Sequence, residues 1–150
     1  MRSLREWIHL LFENNKNPKK VLFRVDAGRT YGLSFGHVSR CLMIARVLRE
    51  EYGSEIMFLM RDFPDGINHV TRYGYTVRKF PVHPDCEERG IVVDTIKEYQ
   101  PDMLVIDVPY KNLDTSYFSK LREQGINIVF IDDSRFIRPD VNVLLNSNIL

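Results

Sequence analysis

The chain reads V-L-F-R-V-D at 21–26 and G-H-V-S-R-C-L-M-I-A at 36–45, with a glycine-containing turn between the two stretches. An apolar run of strand length, such a turn and a helical apolar pattern predict a buried strand, a loop and a helix. His37 and Arg40 are three residues apart, so they share one face of the first helical turns. The free N–H groups and the positive dipole end of a helix attract anions there. A neutral histidine base beside a fixed cation at such an end suits chemistry on a phosphorylated substrate.

Further apolar runs of strand length alternate with helical patterns along the rest of the chain. Strands are predicted at 55–60, 75–80, 103–107, 127–131 and 141–145, and helices at 37–52, 65–73, 90–99 and 113–124. Strands that are apolar on both faces and alternate with helices indicate a parallel sheet that is covered on each side. The predicted fold class is therefore α/β, a doubly wound, mostly parallel, Rossmann-like sheet.

Acidic residues follow three of the predicted strands. They are Asp26, Asp107 and the pair Asp132-Asp133. Ligands of open parallel sheets bind beyond the carboxyl ends of the strands, so we expect these acids and His37 to line one rim. Mg²⁺ accepts carboxylates of this kind, but such acids serve equally as helix caps or hydrogen-bond acceptors.

The composition is that of an ordinary single domain, and the formal net charge is +1. This charge gives no electrostatic reason to expect nucleic acid or an anionic membrane as a partner. Two cysteines are too few for a disulfide framework, which indicates a reduced, cytoplasmic protein. No window approaches the roughly 20 apolar residues of a membrane span. We expect an amphipathic N-terminal extension and linker over 1–19 and the α/β domain over 20–150.

The glycine loop does not match the common nucleotide-binding motifs. Gly28, Gly32 and Gly36 are spaced by four, unlike the Gly-x-Gly-x-x-Gly of dinucleotide-binding folds. The phosphate loop of nucleotide hydrolases needs lysine and serine or threonine after its last glycine, where this chain has histidine and valine. Asp62, just past the second strand, leaves nicotinamide binding open as an alternative, because an acid there can bind a ribose.

The same residues resemble a known family. R-V-D-A at 24–27, the glycine turn and G-H-V-S-R-C-L at 36–42 are similar to the start of the UDP-sugar hydrolases of pseudaminic acid biosynthesis. Spore-coat polysaccharide biosynthesis proteins of the same superfamily look similar. L-V-I-D at 104–107, F-I-D-D at 130–133 and the segment 140–146 follow in the order that this family shows.

The resemblance implies the N-terminal half of the two-domain glycosyltransferase-B architecture, with the nucleotide-binding C-terminal half absent. It implies that His37 is a catalytic general base that activates water to hydrolyse a UDP-sugar at its anomeric carbon, in surface polysaccharide or nonulosonate synthesis. It implies neither a metal nor a cofactor. The substrate-binding residues that it implies are Asp26, Gly36, Arg40, Tyr110 and Asp133.

Two alternatives stay open at the level of sequence. The first is a glycosyltransferase of the same superfamily, because a base must deprotonate the attacking group whether that group is water or an acceptor. The second is a truncated, non-catalytic half that needs a separate C-terminal partner. An open rim would leave apolar surface uncovered, which favours such a partner or a homo-oligomer.

Overall fold

A parallel sheet organises the part of the chain that the computed structural model describes, namely Glu6, Ile8, His9 and residues 19–30, 32–82, 87–109, 113–132 and 140–146. Its strands are β1 (Lys20–Val25), β2 (Glu55–Arg61), β3 (Thr76–Phe80), β4 (Met103–Asp107), β5 (Asn127–Asp132) and β6 (Val143–Asn146). The helices that alternate with them are α1 (Gly36–Tyr52), α2 (Pro64–Thr71), α3 (Glu88–Tyr99) and α4 (Thr115–Arg122). Across these ranges the sheet has six strands in the order β3-β2-β1-β4-β5-β6, and every pair is parallel.

Strand β1 lies in the middle of the sheet because five of its six residues are buried. It pairs with β2 on one side, from Lys20 opposite Glu55 onwards, and with β4 on the other. Successive side chains point to opposite faces of a strand, so each face of β1 contributes to a separate core. Burying a side chain such as Phe23 contributes roughly 1.5–3 kcal/mol. Arg24, also fully buried, is the exception in this otherwise apolar strand.

One hydrophobic core lies on each face of the sheet. Helices α1 and α2 cover the first, where the rings of Phe23 and Phe58 stack with their centroids 4.9 Å apart. Helices α3 and α4 cover the second, where Phe118 packs against Phe130 with centroids 4.8 Å apart. The buried residues of α1 recur at helical spacing, as its sequence predicted; they are Val38, Cys41, Leu42, Ile44, Ala45 and Leu48.

The predicted α/β fold class is confirmed, and the predicted elements are present with small changes at their ends. Helix α3 begins at Glu88 rather than at residue 90. Helix α4 is shorter than the predicted 113–124 because Asp114 caps it, accepting a hydrogen bond from the backbone N–H of Tyr117 at 2.9 Å. After α4, Gly125 adopts a φ of +72°, the left-handed conformation that glycine tolerates.

The N-terminal extension is described at only a few positions. Ile8 is 4% exposed and belongs to the core on the α1 side of the sheet. His9 Nδ1 lies 3.0 Å from the Tyr52 hydroxyl oxygen at the end of α1. The predicted boundary between the extension and the domain, after residue 19, stays a prediction. Among the described helices, none is long and apolar enough to cross a membrane.

Candidate functional site

The topological switch point of the sheet lies between β1 and β4. From β1 the chain first builds β2 and β3 on one side, then crosses to build β4, β5 and β6 on the other. The loops after two such neighbouring strands run in opposite directions and leave a crevice, which is where open α/β sheets bind ligands. The segment after β1 leads into α1, and β4 ends at Asp107. These two elements therefore border the crevice.

His37, in the first turn of α1, is held by the carboxylate that ends β4. Its Nδ1 lies 2.7 Å from Asp107 Oδ1. The side chain of Asp107 is 0% exposed and that of His37 is 16% exposed. We assign the proton to Nδ1, because this nitrogen lies closer to the carboxylate oxygen, at 2.7 Å, than to the competing donor Arg40 Nη2, at 3.0 Å, and two acceptors would repel each other. This tautomer leaves Nε2 as the nitrogen that can take up a further proton.

Arg40 completes this cluster from one turn further along α1. It donates to Asp107 through Nε and through Nη2, the latter to Oδ1 at 2.5 Å, and its Nη2 lies 3.0 Å from His37 Nδ1. A guanidinium that contacts both oxygens of a carboxylate neutralises its charge as well as fixing its position. We call His37, Arg40 and Asp107 the histidine cluster. Its net charge is zero when the imidazole is neutral and positive when the imidazole is protonated.

Cys41 lies beside the histidine cluster on the inner side of α1. Its Sγ is 3.7 Å from Asp107 Oδ2, and its side chain is buried. Burial raises the pKa of the Cys41 thiol well above its ordinary value, and the charge of Asp107 raises it further. The thiol therefore stays protonated at neutral pH, where it acts as a weak donor to the carboxylate rather than as a nucleophile.

The N-terminus of α1 has only weak capping by side chains. Its N-cap residue, Phe35, makes no capping hydrogen bond, the first turn contains no acidic residue, and the Gly36 N–H donates to Ser34 Oγ at 3.4 Å. The first N–H groups of a helix have no partner within the helix. Gly36, at the first position of α1, would give an added Cβ its nearest contact at 3.6 Å, an ordinary distance. Space next to this helix end is therefore available.

A second charged cluster lies on the opposite face of the sheet. Arg24 donates two hydrogen bonds to Asp26, each at 2.8 Å, and a third from Nε to Glu88 at 2.8 Å. Arg61 donates its backbone N–H to Asp26 at 2.7 Å, and its side chain reaches Glu88 at 3.3 Å. The Tyr117 hydroxyl donates to Glu88 at 3.3 Å. We call these five residues the arginine network.

Burial and charge act against each other in the arginine network. Burial tends to lower the pKa of Arg24, but the charges of Asp26 and Glu88 outweigh it and raise that pKa above its ordinary value. Burial raises the pKa of the Tyr117 phenol well above its ordinary value, and Glu88 adds to this effect. Arg24 thus stays charged and Tyr117 stays neutral at physiological pH.

The residues predicted to share one rim divide between these two clusters. His37 and Arg40 meet at Asp107, whereas Asp26 is fully buried in the arginine network on the other face. Tyr110 and Asp133 lie outside the described residues. Asp132, at the end of β5, is 6% exposed. The substrate-binding roles of these residues stay predictions.

Sequence reasoning placed Asp107 on the same rim as His37, but it did not identify this acid as the shared partner of His37 and Arg40, and it did not find the arginine network. It considered the acids of the rim as metal ligands, helix caps or hydrogen-bond acceptors. A signal for the network was present, because Arg24 and Asp26 are two residues apart and so share one face of an extended strand. Within the described part of the chain, no three His, Cys, Asp or Glu residues group together as metal ligands would.

Comparisons with known proteins give no family for this chain. None of the protein-family models matches it, and no curated protein matches it. Among solved structures it is similar to the crystal structure of a universal stress protein family protein from Arabidopsis thaliana with AMP bound, with 13% sequence identity and a TM-score of 0.49. The similarity covers 87% of this chain and 94% of that chain.

The expected membership in the UDP-sugar hydrolase family was wrong. No model of that family matches the chain, and no curated protein of that family matches it either. This finding overturns the expected half of a glycosyltransferase-B architecture together with the hydrolysis of UDP-sugars in pseudaminic acid or polysaccharide synthesis. It equally removes the alternatives of a glycosyltransferase and of a truncated half of such an enzyme.

The architecture explains why the motif was misleading. Asp26 follows a buried strand and neutralises Arg24 within that strand. His37 and Arg40 begin the next helix and hold the end of β4 through Asp107. Acids at strand ends and polar side chains on the first turn of the following helix serve any doubly wound sheet, since they tie neighbouring elements together at its carboxyl edge. Such a motif indicates the fold more strongly than the reaction.

Proposed function

We propose that this chain binds a phosphorylated small molecule in the crevice between β1 and β4, and that His37 transfers a proton to or from it. The observation that carries this proposal is the 2.7 Å hydrogen bond between His37 Nδ1 and the buried carboxylate of Asp107. A histidine that is oriented by a carboxylate and partly open to solvent has the arrangement of a general acid or base.

The charge balance supports an anionic ligand. Arg40 neutralises Asp107, so a proton taken up by His37 gives the cluster a net positive charge. The N-terminus of α1, whose only side-chain cap is the long bond from the Gly36 N–H to Ser34 Oγ among the described residues, adds the positive end of the helix dipole on the same side. A phosphate group fits these donors better than a neutral group does, because its oxygens accept several charge-assisted hydrogen bonds at once.

The tautomer supports proton transfer. With Nδ1 donating to Asp107, the Nε2 of His37 accepts a proton from a hydroxyl of the ligand or from a bound water. Asp107 then stabilises the imidazolium across the bond that already orients the ring. Such assistance typically contributes about 10²–10⁴ in rate. Gly36 supports the site by leaving room for the ligand at the helix end.

The buried, unpaired thiol of Cys41 fits the cytoplasmic setting that the cysteine content predicts. We propose that setting for the chain, together with small-molecule rather than nucleic-acid partners, in accord with a net charge of +1. Self-association stays a prediction.

Calorimetric titration of the full chain tests the proposal. The phosphorylated probes are AMP, ribose 5-phosphate and inorganic phosphate. Adenosine and ribose are the matched probes without a phosphate group. We expect a phosphorylated probe to bind about tenfold or more tightly than its counterpart, since a charge-assisted hydrogen bond contributes about 1.5–3 kcal/mol. Titrations in buffers of different ionisation enthalpy should also detect proton uptake on binding.

The variants are His37→Gln and, as matched control, Arg46→Gln. Arg46 lies on the same helix but is exposed and pairs with Glu50. We expect His37→Gln to lose the proton uptake and most of the preference for the phosphorylated probe, and Arg46→Gln to keep both. Equal affinity for phosphorylated and unphosphorylated probes, or equal losses in the two variants, would contradict the proposal.

A further inference from the structure

A groove runs along the outer side of α1, away from the histidine cluster. It lies between α1 and the segment that joins α2 to β3, and its volume is about 320 Å³. This volume is at the lower end of the range for small-molecule pockets, roughly 300–1,000 Å³. The residues that line it are Ser39, Leu42, Met43, Arg46, Arg49, His69, Tyr73 and Tyr75.

The rims of the groove are apolar and exposed. Met43 is 70% exposed and Tyr73 is 56% exposed. The ring of His69 packs edge-on against that of Tyr73, with centroids 5.7 Å apart, so the aromatic rim is fixed in position. Below these rims Leu42 is buried and belongs to the core. An apolar group placed between Met43 and Tyr73 would therefore lose contact with water on two sides.

Two arginines supply positive charge along the groove. Arg49 stacks on the ring of Tyr75 at 4.2 Å and donates to the Tyr73 carbonyl oxygen at 3.2 Å. Arg46 pairs with Glu50, and the two side chains are 71% and 55% exposed. An ion pair exposed to this degree is weak, so Arg46 can exchange Glu50 for another anion at little cost. All the charged side chains that line the groove are basic or histidine.

The floor of the groove holds an unsatisfied donor. Tyr75 is 6% exposed, and among the described residues its hydroxyl oxygen has no hydrogen-bond partner. Burial raises the pKa of this phenol, so it remains an O–H donor at neutral pH. A buried hydroxyl without a partner costs about 1–3 kcal/mol. Such a group in a folded protein calls for an explanation. The oxygen is closed to solvent, so a ligand in the groove can accept its hydrogen bond only when a covering side chain such as Arg49, which lies over the ring, moves aside.

We propose that this groove binds a small organic carboxylate with an apolar stem. The stem lies between Met43 and Tyr73, and the carboxylate contacts Arg46 and draws Arg49 away from the Tyr75 ring, which opens the Tyr75 hydroxyl to donate to it. The small volume favours such a molecule over a peptide helix, which needs a longer surface. The site is separate from the phosphate site proposed above, because neither His37 nor Arg40 lines it.

Methyl NMR of the full chain with labelled methionine tests this site. Hexanoate is the probe; hexanol has the stem without the charge, and acetate has the charge without the stem. We expect hexanoate to shift the Met43 methyl resonance in a saturable way, with an affinity at least about fivefold higher than that of hexanol or acetate. The resonance is assigned with Met43→Leu.

Tyr75→Phe is the decisive variant because it removes only the unsatisfied hydroxyl. It should fold and be at least as stable as the parent, and it should bind hexanoate about fivefold more weakly. Arg46→Gln should weaken binding similarly, whereas Lys97→Gln, an exposed cation on α3, should leave it unchanged. A shift that does not saturate, equal affinity for hexanol, or unchanged affinity in Tyr75→Phe would each overturn the proposal.

Discussion

The carboxyl edge of the sheet carries two charged clusters that differ in their access to water. In the arginine network the side chains of Arg24 and Asp26 are 0% exposed. In the histidine cluster Asp107 is equally buried, but His37 and Arg40 keep 16% and 21% of their side chains exposed. Both clusters compensate a buried carboxylate with a guanidinium. At the centre of the arginine network both partners of the ion pair are sealed from water, and Arg61 and Glu88 at its margin are 14% and 13% exposed, whereas in the histidine cluster only the carboxylate is sealed.

This difference separates two uses of the same chemistry. A sealed ion pair contributes mainly through the cost of breaking it, because each partner would be left charged and without water. A half-open cluster can exchange one of its interactions for a ligand, which is why perturbed and partly exposed charges mark functional sites. We therefore expect a structural role for Arg24 and Asp26, and the proposed ligand chemistry depends on His37.

The largest effect should come from breaking the arginine network. Arg24→Met leaves Asp26 and Glu88 without their main cation, and we expect the free energy of unfolding to fall by about 3–5 kcal/mol. Urea denaturation measures this loss. The double variant Arg24→Met with Asp26→Leu replaces the pair by apolar side chains, and it should recover much of the loss because no buried charge is left unpaired.

Arg40→Met is the matched variant in the histidine cluster. Asp107 keeps its bond to His37, and Arg40 is partly exposed, so we expect a smaller loss of about 1–3 kcal/mol. Equal losses for Arg24→Met and Arg40→Met would remove the distinction between a sealed and a half-open cluster. A loss below about 1 kcal/mol in Arg24→Met would contradict the structural role of the network.

The backbone also packs more closely in some parts of the carboxyl edge than in others, and two glycines test this. A Cβ added to Gly66 in α2 would lie 2.0 Å from the carbonyl oxygen of Ala27, a backbone atom that cannot move aside easily. Gly66→Ala should therefore cost about 1–3 kcal/mol or more of stability. Gly36→Ala, beside His37, meets its first neighbour at 3.6 Å and should be neutral or stabilise α1 by up to about 1 kcal/mol.

Thermal unfolding of the two alanine variants checks this contrast. The same proteins can be titrated with the phosphorylated probes. If the ligand approaches the backbone of Gly36, Gly36→Ala lowers its affinity while stability is kept. Comparable destabilisation by the two substitutions would show that the end of α1 is as closely packed as the contact of α2 with the residues after β1, which would contradict open space there.

The sequence predicted the fold well because local patterns determine it. Buried strands such as β1 and β4 are apolar except at Lys20, Arg24 and Asp107, and helices between them repeat their apolar residues at helical spacing. The ends of α4 are local features as well, since the Asp114 side chain caps its start and Gly125 adopts a positive φ after its end. The parallel pairing of the strands followed from the alternation of strands and helices, which requires crossover connections, whereas the order of the strands was not predicted.

The site was less predictable because its key contacts join residues far apart in the chain. The bond of His37 to Asp107 joins residues 70 positions apart, and that of Arg24 to Glu88 joins residues 64 apart. Sequence spacing determines which residues share a helix face, but not which acid at the sheet edge they meet. The motif at 24–42 resembled that of a known family and therefore suggested its reaction, but the comparisons do not support that family.

The smallest effect should come from a charge that is outside both clusters. Asp114 is fully exposed, and its pKa is lowered by the hydroxyl hydrogen bond of Ser116 and by the backbone N–H of Tyr117. Because the native pKa of Asp114 is below the unfolded value, the contribution of this carboxylate to stability is present above that value, near 3.8, and is lost as the pH falls through the lower native pKa.

Asp114→Ala should thus lower the melting temperature slightly at neutral pH and hardly at all in acid. Asp114→Asn should keep most of the stability, because asparagine caps without a charge, and should lose the pH dependence. Ser119→Ala, in the same helix and exposed, is the matched control. If Asp114→Ala lowered the melting temperature equally at every pH, the charge of the carboxylate would add nothing to its capping hydrogen bonds. Charge would then affect stability in this chain only where water is excluded.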